Sequence, residues 1–351
     1  MNVEDRTIWQ FAAGDADRDY VDLLIKWDVI ALGPGDIGDW PGCRSVLQER
    51  GSSNKVGDFR ALYERMDPGD LVVLRLRTSE AYGVGEVVGT PERRELFGDV
   101  DGWDLQHTRR VRWLWTYDED SVSFDTHTFT RGRTACKLDD EEVEQWIETL
   151  DFNGEEERSL TELPESDGEK VEPQDIGRHL FNHGVSADAI STLVDQIDDL
   201  NRIARWYGRA DNPSESETIA YLVVPLMRAL GWTPQKMAIE WKNIDVALFD
   251  KLPRDGSNLI AAVEAKKWQR SCLSARSQAE KYAKELAGET CERLIVTDGA
   301  RYGVFLIQDD GSYPKTPDAY LNLARMRDRH PLLECDGAKK ALLLMSADWR
   351  P

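Results

Sequence analysis

The sequence predicts an α/β chain of several domains: a strand-rich β domain first, a short helical connector, then an α/β domain with a mixed sheet. Three observations predict it. Short runs of strand-forming residues separated by turn signals fill residues 1–150. An acidic stretch poor in apolar residues interrupts the chain at 151–174. From 214 onward the pattern reads helix, strand, strand, helix, strand, strand.

In the first domain, LVVLRLR (71–77) follows the turn Pro68-Gly69-Asp70. YGVGEVVG (82–89) reads as a second strand, with glycines where a bulge or a close backbone approach is expected. RRVRWLW (109–115) alternates, placing Arg110 and Arg112 on one face and apolar or aromatic residues on the other. The segment 151–174 reads as a linker. Residues 175–210 form the connector, with Ile190, Leu193, Val194, Ile197, Leu200 and Ile203 on one helical face. The last domain, 211–351, opens with the turn Asp211-Asn212-Pro213-Ser214.

Composition narrows the function classes. No basic start is followed by an apolar run, and nowhere do eighteen apolar residues stand together, so a signal peptide or membrane span is not expected and a cytoplasmic location is. The five cysteines lie singly, without the spacing of a zinc site. The net charge of −21 argues against phosphate binding, yet the chain holds 30 Arg and only 14 Lys against 65 acids. Such a diffuse acidic surface is expected of proteins from salt-loving organisms. Positive charge also clusters at Arg109, Arg110 and Arg112, at Lys266, Lys267 and Arg270, and at Arg325, Arg327 and Arg329. These clusters leave DNA open as a partner, with Lys267, Arg270, Arg110 and Arg112 as candidate phosphate contacts.

The chemistry concentrates in the last domain. Helix 215–232 leads to strand 243–250, and the turn KLPRDGSN to strand 259–268. On the latter, Glu264 and Lys266 are two apart and leave the same face. Pairing the two strands as a hairpin brings Asp245 beside Glu264. Close carboxylates repel, and an oxygen-ligated Mg²⁺, with Mn²⁺ as substitute, relieves the repulsion. The Lys266 ammonium beside it can orient or polarise an attacking water and stabilise charge on a phosphate. On the following helix (274–288), Gln278 and Tyr282 share a face at i,i+4 spacing. Upstream, Glu215 and Glu217 compete for the role of a further acid, since Ser214 and Glu217 also read as a capping box.

This set resembles the PD-(D/E)xK nuclease superfamily, and more narrowly the nuclease domain of type I restriction-enzyme motor subunits, over about residues 212–310. The shared pattern is a Glu-x-x-Thr helix running to Pro and Gly-Trp, an Asp near a strand start, Glu-Ala-Lys-Lys, then Gln-x-x-x-Tyr. The resemblance implies a restriction-endonuclease-like fold. It implies catalytic roles for Asp245, Glu264, Lys266, Glu215 (favoured over Glu217), Gln278 and Tyr282, and a metal held by Asp245, Glu264 and Ala265. Ile244 stands where the family usually has Pro, and no helicase motor accompanies the domain.

Seven of the twelve tryptophans fall in the first 150 residues. Trp9-Gln10-Phe11, the loop GPGDIGDWPG around Trp40, Pro68-Gly69-Asp70 and Gly83-Val84-Gly85-Glu86-Val87 together resemble the EVE group of PUA-like domains. That resemblance implies a β-barrel of about residues 5–148 that reads modified bases in an aromatic-lined pocket. An extruded base must stack between aromatic faces, and Trp40, then Trp9, are the candidates. Trp113 and Trp115 are expected in the core. The whole then reads as a modification-dependent, type IV-like restriction endonuclease acting on double-stranded DNA with modified bases, with no membrane partner. A homodimer is expected at least when cleaving, since one site cuts one strand. Two alternatives stand beside it: a defence nuclease whose first domain senses a small molecule or modified RNA, and a non-catalytic modified-DNA-binding protein.

Overall fold

The computed structural model of the chain describes residues 6–15, 18–150, 152, 158–207 and 213–350. It is a mixed α/β structure that divides into two compact units, residues 1–165 and 166–351. Parts of the acidic linker (151 and 153–157) and the turn residues Asp211 and Asn212 lie outside the described residues.

In the first unit the elements run β1 (Ile8–Ala12), α1 (Val21–Lys26), β2 (Val29–Leu32), α2 (Arg44–Glu49), α3 (Ser53–Arg60), β3 (Leu71–Leu76), β4 (Glu80–Arg93), β5 (His107–Thr116), β6 (Val122–Ser123), β7 (Ala135–Lys137) and α4 (Glu141–Thr149). The three strand runs expected from sequence correspond to β3, β4 and β5. The sheet order is β2-β5-β4-β3-β1-β7, with β6 on β4, and only β1 and β3 are parallel. Among the described residues this path stays open, with the short strands β2 and β7 at its ends, where a closed barrel was expected.

Arginine does unexpected work here. Arg109 is buried, and its guanidinium donates to the carbonyls of Leu62, Met66 and Gly89. Arg75 likewise donates to the carbonyls of Thr130 and Arg133. Each gathers main-chain carbonyls from several segments that burial would otherwise leave unsatisfied.

The second unit begins with α5 (Pro173–Asn182) and α6 (Ala187–Tyr207). Between them Gly184 takes φ 83°, a left-handed step that glycine permits. The expected periodicity is seen in α6, where Leu193, Ile197 and Leu200 are buried and Ile190 and Ile203 pack partly against the same core.

Next comes α7 (Glu215–Thr218), a π turn over Ile219–Val223, and α8 (Val224–Ala229). Pro225 explains the wide turn: it lacks an N–H and its ring would strike the carbonyl of Tyr221 in a regular helix.

The remaining elements are β8 (Met237–Trp241), β9 (Ile244–Phe249), β10 (Leu259–Ala265), α9 (Arg276–Ala287), β11 (Arg293–Thr297), β12 (Arg301–Leu306), β13 (Ala319–Asn322), β14 (Arg329–His330), β15 (Cys335–Asp336) and α10 (Ala338–Met345). Their sheet is ordered β14-β15-β13-β12-β11-β10-β9-β8 and is mixed, with β10 parallel to β11 across the α9 crossover. On one face α8 and α10 share a core with Val246, Val263 and Ile295. On the other, Ala275, Ala279 and Ala283 bring α9 close against Ala247, Ala262 and Leu294. No helix among the described residues is long and apolar enough to cross a membrane.

Candidate functional site

The candidate centre forms where β9 and β10 part. Their antiparallel register runs through Ala261↔Leu248, Ala262↔Ala247 and Val263↔Val246. Past that pair the Ala265 N–H donates to the Asp245 side chain, Oδ2, at 2.7 Å. The next main-chain N–H, that of Lys266, donates to the carbonyl of Thr297 on β11 at 2.7 Å. β10 therefore ends at Ala265, before the Lys266 that the sequence puts within the strand.

Side-chain alternation places Asp245 with Ala247 and Glu264 with Ala262, on the face that α9 covers. Glu264 is 3% exposed, and its Oε2 has no hydrogen-bond partner. Burial, with repulsion from Asp245 and Glu215 added, pushes its carboxyl up to about 8 against the pull of Lys266. The Asp245 carboxyl is also raised, first by burial. Glu215 and Glu240 push it further, while the Ala265 N–H and Lys266 draw it down. The Lys266 ammonium donates to Gln278 Oε1 at 2.9 Å, so α9 tethers the cation that opposes these carboxylates.

The competition between Glu215 and Glu217 has a geometric answer. The Glu217 carboxylate accepts the Ser214 N–H and hydroxyl, both at 2.8 Å, closing a capping box, and these bonds hold it below the usual carboxylate range. Glu215, half-buried on the same turn, is the acid that acts electrostatically on Asp245 and Glu264. Tyr282 is half-buried and packs against the α9-side core, while its helix neighbour Gln278 reaches Lys266.

These residues fit a hard divalent cation. A half-buried carboxylate (Asp245) and a buried one with an orphaned oxygen (Glu264), both with raised affinity for protons, lie beside the Ala265 main chain. Oxygen donors of this kind suit Mg²⁺ or Mn²⁺. Among the described residues no group of three or more His, Cys, Asp and Glu side chains could hold a metal alone, so main-chain oxygen and water must complete the shell.

Sequence reasoning did not single out Glu240, which adds to the repulsion felt by Asp245. β8 and β9 form a hairpin in which Met237, Ala238, Ile239 and Trp241 pair with Leu248, Ala247, Val246 and Ile244. The skipped rung is the one that would join Glu240 to Asp245. The connecting residues Lys242 (φ 48°) and Asn243 (φ 75°) are both left-handed, as a two-residue type I′ turn requires. Glu240 itself has φ 52°. The signal available beforehand was Lys-Asn at the turn, much weaker than Asn-Gly.

Several expected contacts are corrected. Arg110 is not free for phosphate: it donates to the carbonyls of Asp28 (3.1 Å) and Thr161 (2.6 Å). Arg112 lies 3.8 Å from Glu86. Arg325 and Arg327 both pair with Asp167, at 3.0 and 3.2 Å. Lys267 and Arg270 are exposed next to the centre.

In the first unit, Trp9 is 4% exposed on a central strand and its indole N–H donates to Asp70 at 2.8 Å. No base can stack on it in this fold. Trp113 is core, as expected, and donates to the Leu24 carbonyl, while Trp115 is half-buried against Trp146.

Trp40 is half-buried and donates to Glu64 at 3.1 Å. Its ring centroid lies 5.7 Å from Phe59 and 6.3 Å from Tyr63. Tyr63 shares a 2.8 Å hydrogen bond with His107 Nδ1. Burial, with the nearby Arg93, lowers His107 to about 4, so it is neutral at pH 7.

No curated protein matches the chain. Residues 9–138, from the second residue of β1 through β7, are similar to a family known as a domain of unknown function (DUF8426).

Proposed function

We propose that this chain is a Mg²⁺-dependent DNA endonuclease directed to modified bases by its first unit. The observation that carries the reading is the orphaned, buried Glu264 oxygen beside Asp245, with Lys266 held at the same strand end by Gln278. It is the arrangement expected of a restriction-endonuclease-like active site. Asp245, Glu264 and the Ala265 carbonyl would hold the cation. When bound, Mg²⁺ supplies Lewis-acid polarisation of a phosphoryl oxygen and offsets the charge of the carboxylates.

The chain's own groups do the rest. Lys266, fixed through Gln278, orients the attacking water and stabilises negative charge developing on the phosphate. Glu215, at the start of its helix, shapes the charge felt by Asp245 and Glu264. Lys267 and Arg270 supply cationic contacts for the DNA backbone. In the first unit, whose proposed kinship is with EVE-type domains, Trp40 over Tyr63 and Phe59 offers aromatic faces to an extruded base.

Digestion of matched modified and unmodified duplexes with Mg²⁺ tests the proposal. Cutting confined to modified duplex is expected. Equal cutting of both would transfer the first unit to sensing something other than a base. No cutting of either would leave a binding protein.

A further inference from the structure

Apart from the centre, the second unit carries an open aromatic groove. It holds about 420 Å³ and is lined by Arg202, Ile203, Trp206, Tyr207 and Tyr221. On α6, Arg202 and Trp206 stand at i,i+4 spacing, and so do Ile203 and Tyr207. The second stripe turns inward, with Tyr207 buried and Ile203 partly packed on the core, and it leaves the first outside. Trp206 is 59% exposed and meets Tyr207 edge-on, ring centroids 5.0 Å apart. Tyr221 adds the other wall. It belongs to the π turn, in which Ile219, Leu222 and Val223 are buried and Tyr221 is 54% exposed. Turns of this kind recur at functional sites.

Size and charge select the occupant. Five lining residues fall far short of the roughly 20–30 per side of a stable protein interface, whereas this volume is that of a small-molecule site. α6 carries Asp188, Asp195, Asp198 and Asp199 in its earlier turns, then Arg202 and Arg205, both exposed, in its last two. Arg202 pairs with Asp199 at 3.0 Å, but both side chains are more than half exposed. Such pairs are weak, so the guanidinium exchanges readily onto a phosphate. The acid nearest Tyr207, Glu217, is engaged in its capping box. Half-open aromatic walls rimmed by cations suit an unstacked nucleobase. The position agrees. Glu215, which acts on Asp245 and Glu264, lies six residues before Tyr221 on the same helical stretch. Six helical residues span about 9 Å, or two to three nucleotides at about 3.4 Å each along one strand.

We propose that this groove holds an unstacked base of the DNA strand that crosses the centre, between Trp206 and Tyr221, with Arg202 and Arg205 on the neighbouring phosphates. This rests on the nuclease reading for the DNA and adds a second hold on it, a few nucleotides from the cut. Stacking is indifferent to which base is held, because every base has a π face. The groove therefore grips an opened strand without reading its sequence, and base reading stays with the first unit.

Binding of a short fluorescein-labelled single strand to the full chain, followed by anisotropy in EDTA at one fixed salt concentration, tests this. Trp206→Ala and Tyr221→Ala should each weaken binding about tenfold to a hundredfold, the worth of one stacked base. Trp206→Phe should restore most of the loss. On a strand of the same length made of abasic sites, wild type and both Ala variants should bind alike, since only phosphates remain to be contacted. Phe181→Ala, which removes a still more exposed aromatic on α5, should change neither. Trp206 and Tyr221 are exposed, so an unchanged Tm is expected for each variant. Wild-type affinity in Trp206→Ala, an equal loss on the abasic strand, or no binding of the normal strand by wild type overturns the inference. So does a wild-type dimer that Trp206→Ala dissociates, which would make the groove an interface between copies. Duplex cleavage with Mg²⁺ separates the two readings. If wild type cuts and Trp206→Ala binds unchanged, the inference fails and the nuclease reading stands. If binding follows the expected pattern and wild type cuts nothing, the groove stands and the nuclease reading fails.

Discussion

Asp245 accepts the main-chain N–H of Ala265 at 2.7 Å, so one carboxylate both ends a β-ladder and faces the proposed metal centre. The two duties would use different oxygens: Oδ2 is spent on the strand, and Oδ1 would be the one offered to a cation. Asp245→Asn keeps the size but offers a neutral oxygen or a misplaced donor. It should abolish cleavage. Its Tm in EDTA should change little or rise, because a crowded, half-buried charge has been removed. Cleavage at the wild-type rate would displace Asp245 from the centre.

Lys266→Ala should remove activity while leaving the far-ultraviolet dichroism and Tm unchanged, since the side chain bonds to the exposed Gln278 and not into the core. Loss of transition-state stabilisation of this kind costs a factor of about 10² or more in kcat. Gln278→Ala should cost less, because it loosens Lys266 without removing it. Steady-state cleavage kinetics separates the two.

The Glu264 carboxyl, raised to about 8 from 4.5, links stability to pH. Between these values the folded chain holds a proton that the unfolded chain has released, so stability of the metal-free protein falls as pH rises through this window. Each tenfold gain in proton affinity on folding is worth about 1.4 kcal/mol, and the loss is complete above the folded value. Tm measured in EDTA at pH 5.5, 7 and 8.5 should fall, and Glu264→Gln should flatten the trend. Mg²⁺ should restore stability most at high pH, where the carboxylate is free to bind it. A wild-type Tm independent of pH would place Glu264 outside any such cluster.

Glu215→Gln and Glu217→Ala should separate cleanly. The first should reduce cleavage with little effect on Tm. The second should lower Tm through the lost capping box and leave cleavage near wild type. Reversed outcomes in the two assays would exchange the residues' roles.

Trp40→Ala should weaken binding to modified duplex by about tenfold to a hundredfold, the worth of one stacked base, and spare unmodified duplex. Trp9→Ala should instead destabilise the unit by about 3–5 kcal/mol, as deletion of a buried aromatic side chain does. Filter binding beside thermal melts distinguishes a reading residue from a core one.

Much of the second unit was legible because its pattern is written in strand periodicity and helix caps. The β9 and β10 runs and the convergence of Asp245 and Glu264 follow from side-chain alternation in a hairpin and α9 from its helical spacing, while Lys266 lies just past the end of β10. Glu240 was not legible, since an exposed acid looks like any other, and its rung toward Asp245 is the one the β8–β9 register skips. Trp9 misled for a related reason. Its strand is flanked by β3 and β7 on both sides, and the second partner is 128 residues away in the pair Trp9↔Lys137. The basic clusters misled because charge counts ignore pairing, and Arg109, Arg110, Arg325 and Arg327 serve carbonyls and Asp167 inside the fold.

The turn of Lys242 and Asn243 sets a rule for how this chain can vary. Because strand side chains alternate with a period of two, adding or deleting one residue there would swing Asp245, Ala247 and Phe249 to the opposite face. The loop from Asp250 to Asn258 carries no such constraint on its length, provided its ends keep the Asp250 N–H on the Asn258 carbonyl. Descendants of this sequence are therefore expected to tolerate a one-residue change more readily on the Asp250–Asn258 side of β9, outside the Arg254 and Gly256 contacts, and to keep a fixed count on the other.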